Sequence, residues 1–336
     1  MKKIRLGIIG CGGFVRYHMR SIKDSVPEFR VVGLADVDRV HAERLRKEFL
    51  PRQRVGIFTD HRRMLAQAEL DAVIVSTPHT LHYRHCVDAM SAGAHVMVEK
   101  PMVTNPKEAR RLVAKAAKGR KVLVVAVQGM FTDTFAYARK LLADGTIGPL
   151  QLVTGMLAQG WMDITAGTWR QQPKLSGGGQ LYDSSAHVIS AMMYLVDTPV
   201  SKVFCWADKK TTPVDINAVA TVQFANGTMA TINSGGNCNT WYSHLVFQGQ
   251  NALMHISPHG GSFRVSGREM KRDIIKVPKG WAIPSVSPAR NFADCILGRC
   301  EPRCGGRLGI LVSDLMDLLY KSVGTGRSAR ARSGGL

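Results

Sequence analysis

The sequence predicts an α/β chain of two domains. An N-terminal Rossmann-type, doubly wound parallel sheet is followed by an α+β domain with a large, mostly antiparallel open sheet. Three observations carry this expectation. Residues 1–125 alternate short apolar, β-rich runs with helical stretches, as in a parallel sheet with helices on both faces. Residues 200–277 string strand-like segments together with little helix between them. A length of 336 residues exceeds what one hydrophobic core ordinarily serves. The expected units are 1–125, 126–326 and a basic tail, 327–336, expected to be disordered.

The elements follow in order. Strands are expected at 4–9, 30–36, 71–76, 95–99 and 122–127, each a continuous apolar run of the kind buried on both faces, with a shorter one at 55–58. Helices fall between them, for example over 40–49 and 107–118. In the second half, 132–143 and 178–196 read as helical. Strand-like segments then follow at 200–206, 216–225, 228–235, 242–249, 252–256, 262–266 and 272–277. Asn226-Gly227 between two of these runs is a strong hairpin signal. Helices near 288–297 and 306–323 close the chain. Segments such as 218–224 and 229–232 carry apolar groups on both faces. The open sheet is therefore expected to bury its free face in a homodimer or homotetramer.

Composition bounds the function. Hydrophobic residues make up 45% and charged residues 21%, a globular balance. No apolar run approaches the ~20 residues of a membrane helix. The N-terminal Met1-Lys2-Lys3-Ile4-Arg5-Leu6-Gly7 leads straight into a strand rather than a signal peptide, so the cytoplasm is expected. Seven scattered cysteines fit reduced thiols better than a disulfide framework. Cys295, Cys300 and Cys304 lack a second close pair or an interleaved histidine, so no metal is assigned to them. A net charge of +20 attracts anions in general without naming one. No nucleic-acid motif accompanies it, and nucleic acid is not expected as a partner.

The first chemical signal is Gly7-Ile8-Ile9-Gly10-Cys11-Gly12-Gly13-Phe14-Val15, which ends a strand and opens a helix. Gly10 permits the tight turn, Gly12 lets backbone approach a pyrophosphate, and Gly13 and Phe14 lead into the helix N-terminus that receives it. Val15 stands where the G-x-G-x-x-G pattern has its third glycine. Asp36 ends the second strand, where a carboxylate binds the adenosine ribose and repels a 2′-phosphate. NAD is therefore expected over NADP, although Arg39 lies near enough to accommodate a 2′-phosphate.

Several segments together resemble the glucose–fructose oxidoreductase / inositol dehydrogenase / rhizopine-catabolism (Gfo/Idh/MocA) family. They are residues 7–18, Ala35-Asp36, Ser76-Thr77-Pro78-His79-Thr80-Leu81-His82, Glu99-Lys100-Pro101, and Ser176-Gly177-Gly178-Gly179 with Asp183 and His187. The resemblance runs in order along nearly the whole chain. It implies a nicotinamide-dependent oxidoreductase acting on a sugar or polyol, with Ser76, Thr77, Pro78, His82 and Glu99 among the cofactor-contacting residues. It further implies that His187 is the acid/base and that Asp183 binds substrate hydroxyls.

The chemistry is consistent with this. Oxidising a secondary alcohol needs a group to take the hydroxyl proton while nicotinamide takes the hydride. Lys100 follows a central strand at its carboxyl edge, where its ammonium meets both cofactor and reacting oxygen. Asp183 and His187 are spaced i, i+4, one face of a helix. Trp169-Arg170 resembles an aromatic–Arg pair near the substrate, where a structural ion pair is an equal reading. Gln128 lies in a turn where the family often carries a basic pair; here the two positions are Gly129 and Met130, which favours a neutral polyol while the net charge points the other way. Trp161, Trp241 and Tyr242 are candidates to stack on a sugar face or to serve the sheet. His79, His82 and His85 recur every third residue but drift around a helix, so no metal is expected there either.

Three further readings remain open. An NAD-dependent glycosidase begins with the same oxidation. A non-catalytic dinucleotide-binding regulator needs no Lys100, Asp183 and His187 together. A nucleic-acid protein rests on charge alone.

Overall fold

A computed structural model describes residues 3–279, 281, 283 and 286–331. The chain divides into two compact units.

The first unit comprises Met1–Val103, Lys107–Ala126 and a return segment, Pro284–Gly309. Its strands are β1 (Ile4–Ile9), β2 (Phe29–Ala35), β3 (Gly56–Phe58), β4 (Ala72–Val75), β5 (His95–Glu99) and β6 (Leu123–Ala126), and its first helices are α1 (Val15–Ser25), α2 (Arg39–Phe49), α3 (His61–Gln67), α4 (His82–Ser91) and α5 (Pro106–Lys118). The strands pair in parallel in the order β3-β2-β1-β4-β5-β6. The order reverses beside β1, the switch point where doubly wound sheets bind ligands. β4 and β6 are buried throughout, which accounts for their unbroken apolar sequences.

The return segment corrects the expected boundary, since 126–326 is not one unit. Ser287 caps the helix over Pro288–Ile296 by accepting from the Arg290 amide, and Pro288 pre-sets its first turn. Phe292 packs against Phe29, and Arg290 clamps Glu28 with contacts of 2.6 and 3.1 Å. Arg299 adds 2.9 Å to the same carboxylate.

The second unit begins with α6 (Asp133–Ala143) and carries β7 (Leu150–Ala158), α7 (Trp161–Ile164), α8 (Pro173–Ser176), α9 (Ser185–Val196), β8 (Val200–Asp208), β9 (Asn217–Phe224), β10 (Met229–Gly235), β11 (Tyr242–Gly249), β12 (Leu253–Ile256) and β13 (Phe263–Ser266). The chain then continues through α10 (Pro288–Ile296), α11 (Gly306–Thr325) and β14 (Ala329–Arg330). The eight-stranded order is β13-β12-β11-β7-β10-β9-β8-β14, antiparallel except for β7 with β10. Gly227, at φ +89°, makes the expected β9–β10 turn, with the Asn226 side chain accepting from the Thr228 amide.

Alternate residues of β7, β9 and β10 are buried, and α9 covers that side. The opposite face exposes Leu152, Met156, Val219, Met229, Trp206 and Tyr242.

Four local expectations change. β7, a central strand, occupies 150–158, where no strand was expected. Gly155 lies in its middle because an added Cβ would sit 2.5 Å from Val188 of α9. Segment 272–277 forms only one bridge, Ile274 to Val265. The helix expected from 178 starts at Ser185. The basic tail is not wholly disordered: Ala329 and Arg330 pair with Val203 and Lys202, while 332–336 lie outside the described residues. Among the described residues no helix is long and apolar enough to cross a membrane.

Candidate active site

In the first unit, the dinucleotide turn is built by backbone approach. Gly10 has φ +90°, and a Cβ there would fall 2.4 Å from the Ser76 carbonyl oxygen, so only glycine is tolerated. At Gly12 and Gly13 an added Cβ would meet nothing within 4 Å. That open space is what a pyrophosphate needs. α1 starts with no side-chain cap at Phe14 and no acid in its first turn, leaving its N-terminal dipole to a ligand. Val15, at the departed glycine position, is wholly buried.

Asp36 is tied to this turn. One carboxylate oxygen accepts from the Cys11 amide at 2.7 Å and the other from the Asp38 amide at 2.9 Å. Carboxylate oxygens have further lone pairs for ribose hydroxyls. Arg39 is engaged with Glu43 at 2.7 Å. These residues fit a bound nicotinamide dinucleotide.

Lys100 follows β5 and is buried. Its bond to Pro101 is cis. Two residues expected at the cofactor, Glu99 and His82, also have protein partners here. The Glu99 carboxylate is directed inward, accepting from His18 Nε2 and from the Lys100 amide. His82 is fully buried, with Nδ1 2.8 Å from the Pro101 carbonyl and Nε2 2.8 Å from the Thr77 carbonyl. It clasps the turn after β4 to the turn after β5. Burial pushes its pKa below the usual histidine value, against the pull of both carbonyls.

Ser76 donates its amide to Ile9, and Pro78 opens a short 3-10 turn over His79–Leu81. Thr77 Oγ1 lies 2.9 Å from His85 Nδ1. Burial, then the neighbouring His61, pushes His85 down to about 4, so its ring is neutral near neutral pH. His82 and His85 thus spend ring nitrogens on different protein oxygens.

In the second unit, the run Gly177-Gly178-Gly179 lets backbone press against the Asp215–Tyr320 pair. A Cβ on Gly179 would fall 1.9 Å from the Asp215 carbonyl oxygen, and one on Gly178 would fall 2.1 Å from the Tyr320 hydroxyl. Asp215 accepts from the Gly179 amide at 2.7 Å, the Leu181 amide at 2.8 Å and the Tyr320 hydroxyl at 2.6 Å. This fixed turn delivers Asp183 just ahead of α9 and His187 in its first turn, so the two do not share a helix face as expected.

Asp183 accepts from Trp161 Nε1 at 2.8 Å and Arg170 Nε at 2.9 Å. The Arg170 guanidinium lies over the Trp169 ring at 4.6 Å. Trp161 is therefore a buried donor to Asp183 and not a stacking surface. Gln128 has its buried Nε2 without a partner among the described residues, a donor that a ligand oxygen would satisfy.

The family described as an oxidoreductase family with an NAD-binding Rossmann fold matches residues 4–127, and the GFO/IDH/MocA C-terminal domain matches residues 135–267. The chain belongs to the Gfo/Idh/MocA oxidoreductase family. It is 28% identical over 204 residues to D-glucoside 3-dehydrogenase of Escherichia coli (strain K12), covering 59% of this chain and 56% of that protein. It is 31% identical over 150 residues to inositol 2-dehydrogenase of Paracoccus denitrificans (strain Pd 1222), covering 44% of each. The matched region thus spans about half the length of these relatives.

Solved structures share the fold. The WlbA dehydrogenase from Bordetella pertussis, in complex with NADH and UDP-GlcNAcA, aligns with a TM-score of 0.83 at 22% identity over 98% of this chain and 99% of that one. The aldose-aldose oxidoreductase from Caulobacter crescentus, complexed with glycerol, aligns at 0.84 and 22% over 98% and 100%.

This Gfo/Idh/MocA member also explains its own departure at Gly129. A Cβ there would fall 1.9 Å from the Pro258 carbonyl oxygen, so no basic side chain fits, and Met130 is buried. The residues that sequence reasoning missed are Asp215 and Tyr320, which hold the glycine turn, and His259, whose ring lies 4.7 Å from that of His187. Asp215 alone had a visible signal, an acid between two apolar residues, Val214 and Ile216.

Proposed function

We propose that this protein transfers a hydride between NAD and a secondary alcohol carbon of a sugar, sugar derivative or cyclitol. The observation that carries the reading is the locked Asp36 carboxylate beside open space at Gly12 and Gly13, in a unit that also presents Lys100 at the end of β5. Bound NAD supplies the hydride acceptor at the nicotinamide. Asp36 binds the adenosine ribose, and its charge disfavours the 2′-phosphate of NADP.

Lys100 hydrogen-bonds the reacting oxygen and stabilises negative charge as the proton leaves. In the second unit, the family resemblance gives His187 the acid/base role and gives Asp183, held by Trp161 and Arg170, a substrate hydroxyl. The names of the relatives, a glucoside dehydrogenase and an inositol dehydrogenase, support the substrate class. The neutral Gly129 and buried Met130 favour an uncharged polyol at that turn.

The test is NADH formation over polyols, free sugars, phosphosugars and nucleotide sugars, with Lys100→Ala as control. The control is expected to lower kcat by roughly 10²–10⁴ with little change in NAD affinity. Cleavage of a chromogenic glycoside without net NADH would replace this reading with redox-assisted glycoside cleavage. Near wild-type turnover in Lys100→Ala would remove the lysine from the chemistry.

A further inference from the structure

We infer that Trp241 and His259 form an aromatic platform for the apolar face of a sugar or cyclitol ring beside His187. The inference rests on the proposed function and names how that site grips its substrate.

Three rings lie in sequence within the second unit. The His187 and His259 centroids are 4.7 Å apart at 45°, and those of His259 and Trp241 are 5.3 Å apart at 60°. Trp241 nevertheless leaves 58% of its surface exposed. A large aromatic beside an imidazole and still open to water is poor packing, but a good seat for a ring that is apolar on its face and polar at its edge.

Both segments are anchored before any ligand arrives. The strap carrying Trp241 starts at Gly236, whose amide donates to Asn217 Oδ1 at 3.0 Å and whose carbonyl accepts from Met162 at 2.7 Å. A Cβ on Gly236 would fall 2.5 Å from the Ile216 carbonyl oxygen. Farther along, the Cys238 amide donates to Gln159 at 3.1 Å. The turn carrying His259 is closed by Ser257 and Ser262 at 3.1 Å, with Gly260 at φ +80°. Its approach is made possible by Gly129, which accommodates the Pro258 carbonyl. Fixed aromatic surfaces bind at low ordering cost.

The test uses the full chain with NAD present. Saturation-transfer NMR is recorded with methyl β-D-glucopyranoside and with myo-inositol, and with sorbitol as an acyclic polyol that has no ring face. Saturation is expected on the axial ring protons of at least one cyclic probe. Trp241→Ala should weaken that probe about fivefold, the equivalent of about 1 kcal/mol for one aromatic contact. Trp241→Phe and His259→Phe should retain binding, and sorbitol should respond to none of the variants.

Unchanged affinity in Trp241→Ala, equal loss for cyclic and acyclic probes, or no ring-proton saturation in the wild type would overturn the platform. NADH formation is read separately. Face-on binding without NADH sinks the proposed reaction and leaves the platform standing. NADH formation with an unaltered KM in Trp241→Ala does the reverse.

Discussion

His82→Ala is the most informative single perturbation of the first unit. The imidazole is fully buried and lies 2.8 Å from both the Thr77 and Pro101 carbonyls. A neutral ring donates to one of them and the imidazolium to both. Deleting it strands at least one buried carbonyl, a loss of about 1–3 kcal/mol. The void left by the ring adds on the order of 1–2 kcal/mol after partial collapse. The expected destabilisation is therefore about 2–5 kcal/mol, read from the urea midpoint at constant slope.

Because the clasp ends at the turn bearing Lys100, kcat should fall further than NAD affinity. His82→Gln, which retains an amide donor, should recover part of both losses. A His82→Ala protein within about 1 kcal/mol of wild type, with unaltered kcat, would show that the two carbonyls do not depend on this ring.

Four other outcomes follow from the geometry. Arg290, then Arg299, holds Glu28 down to about 2 from 4.5. Its folded value is depressed, so its stabilisation is complete above 4.5 and disappears as pH falls through about 2. It amounts to on the order of 3 kcal/mol, and Glu28→Gln should flatten that part of an acid-unfolding profile. Asp36→Ser should weaken NAD and improve NADP, measured as kcat/KM for each; a wild type that already prefers NADP would refute the role given to Asp36. Gly129→Ala forces the Pro258 carbonyl away and should cost about 1–3 kcal/mol by thermal or urea unfolding; no change would mean the loop yields freely. The apolar residues on the open face of the eight-stranded sheet lead us to expect a dimer or tetramer by light scattering, and a monomer at micromolar concentration would refute that expectation.

The sequence by itself determined the elements whose neighbours are local. β4 and β6 are buried along their length and β1 at every residue but Arg5, so their apolar runs announced a parallel sheet. Gly10, Gly12 and Asp36 were legible because a short turn and the strand beside it impose residue types on themselves. Tertiary structure decided whatever depended on distant partners. β7 was missed because its alternation is interrupted by Gly155, and that glycine is explained only by Val188 of α9.

The return segment read correctly as a helix, but periodicity says only that a helix has an apolar face. Which core receives that face was decided by Glu28, Arg290 and Phe292, brought together from the two ends of the chain. Glu99 and His82 occupy motif positions near the cofactor turn, and the motif does not name the protein partners of their side chains. Their side chains turn inward because buried donors and carbonyls there must be paired. Tyr320 and His259 entered the site only through folding, since contacts across dozens of residues leave no period or spacing in the sequence.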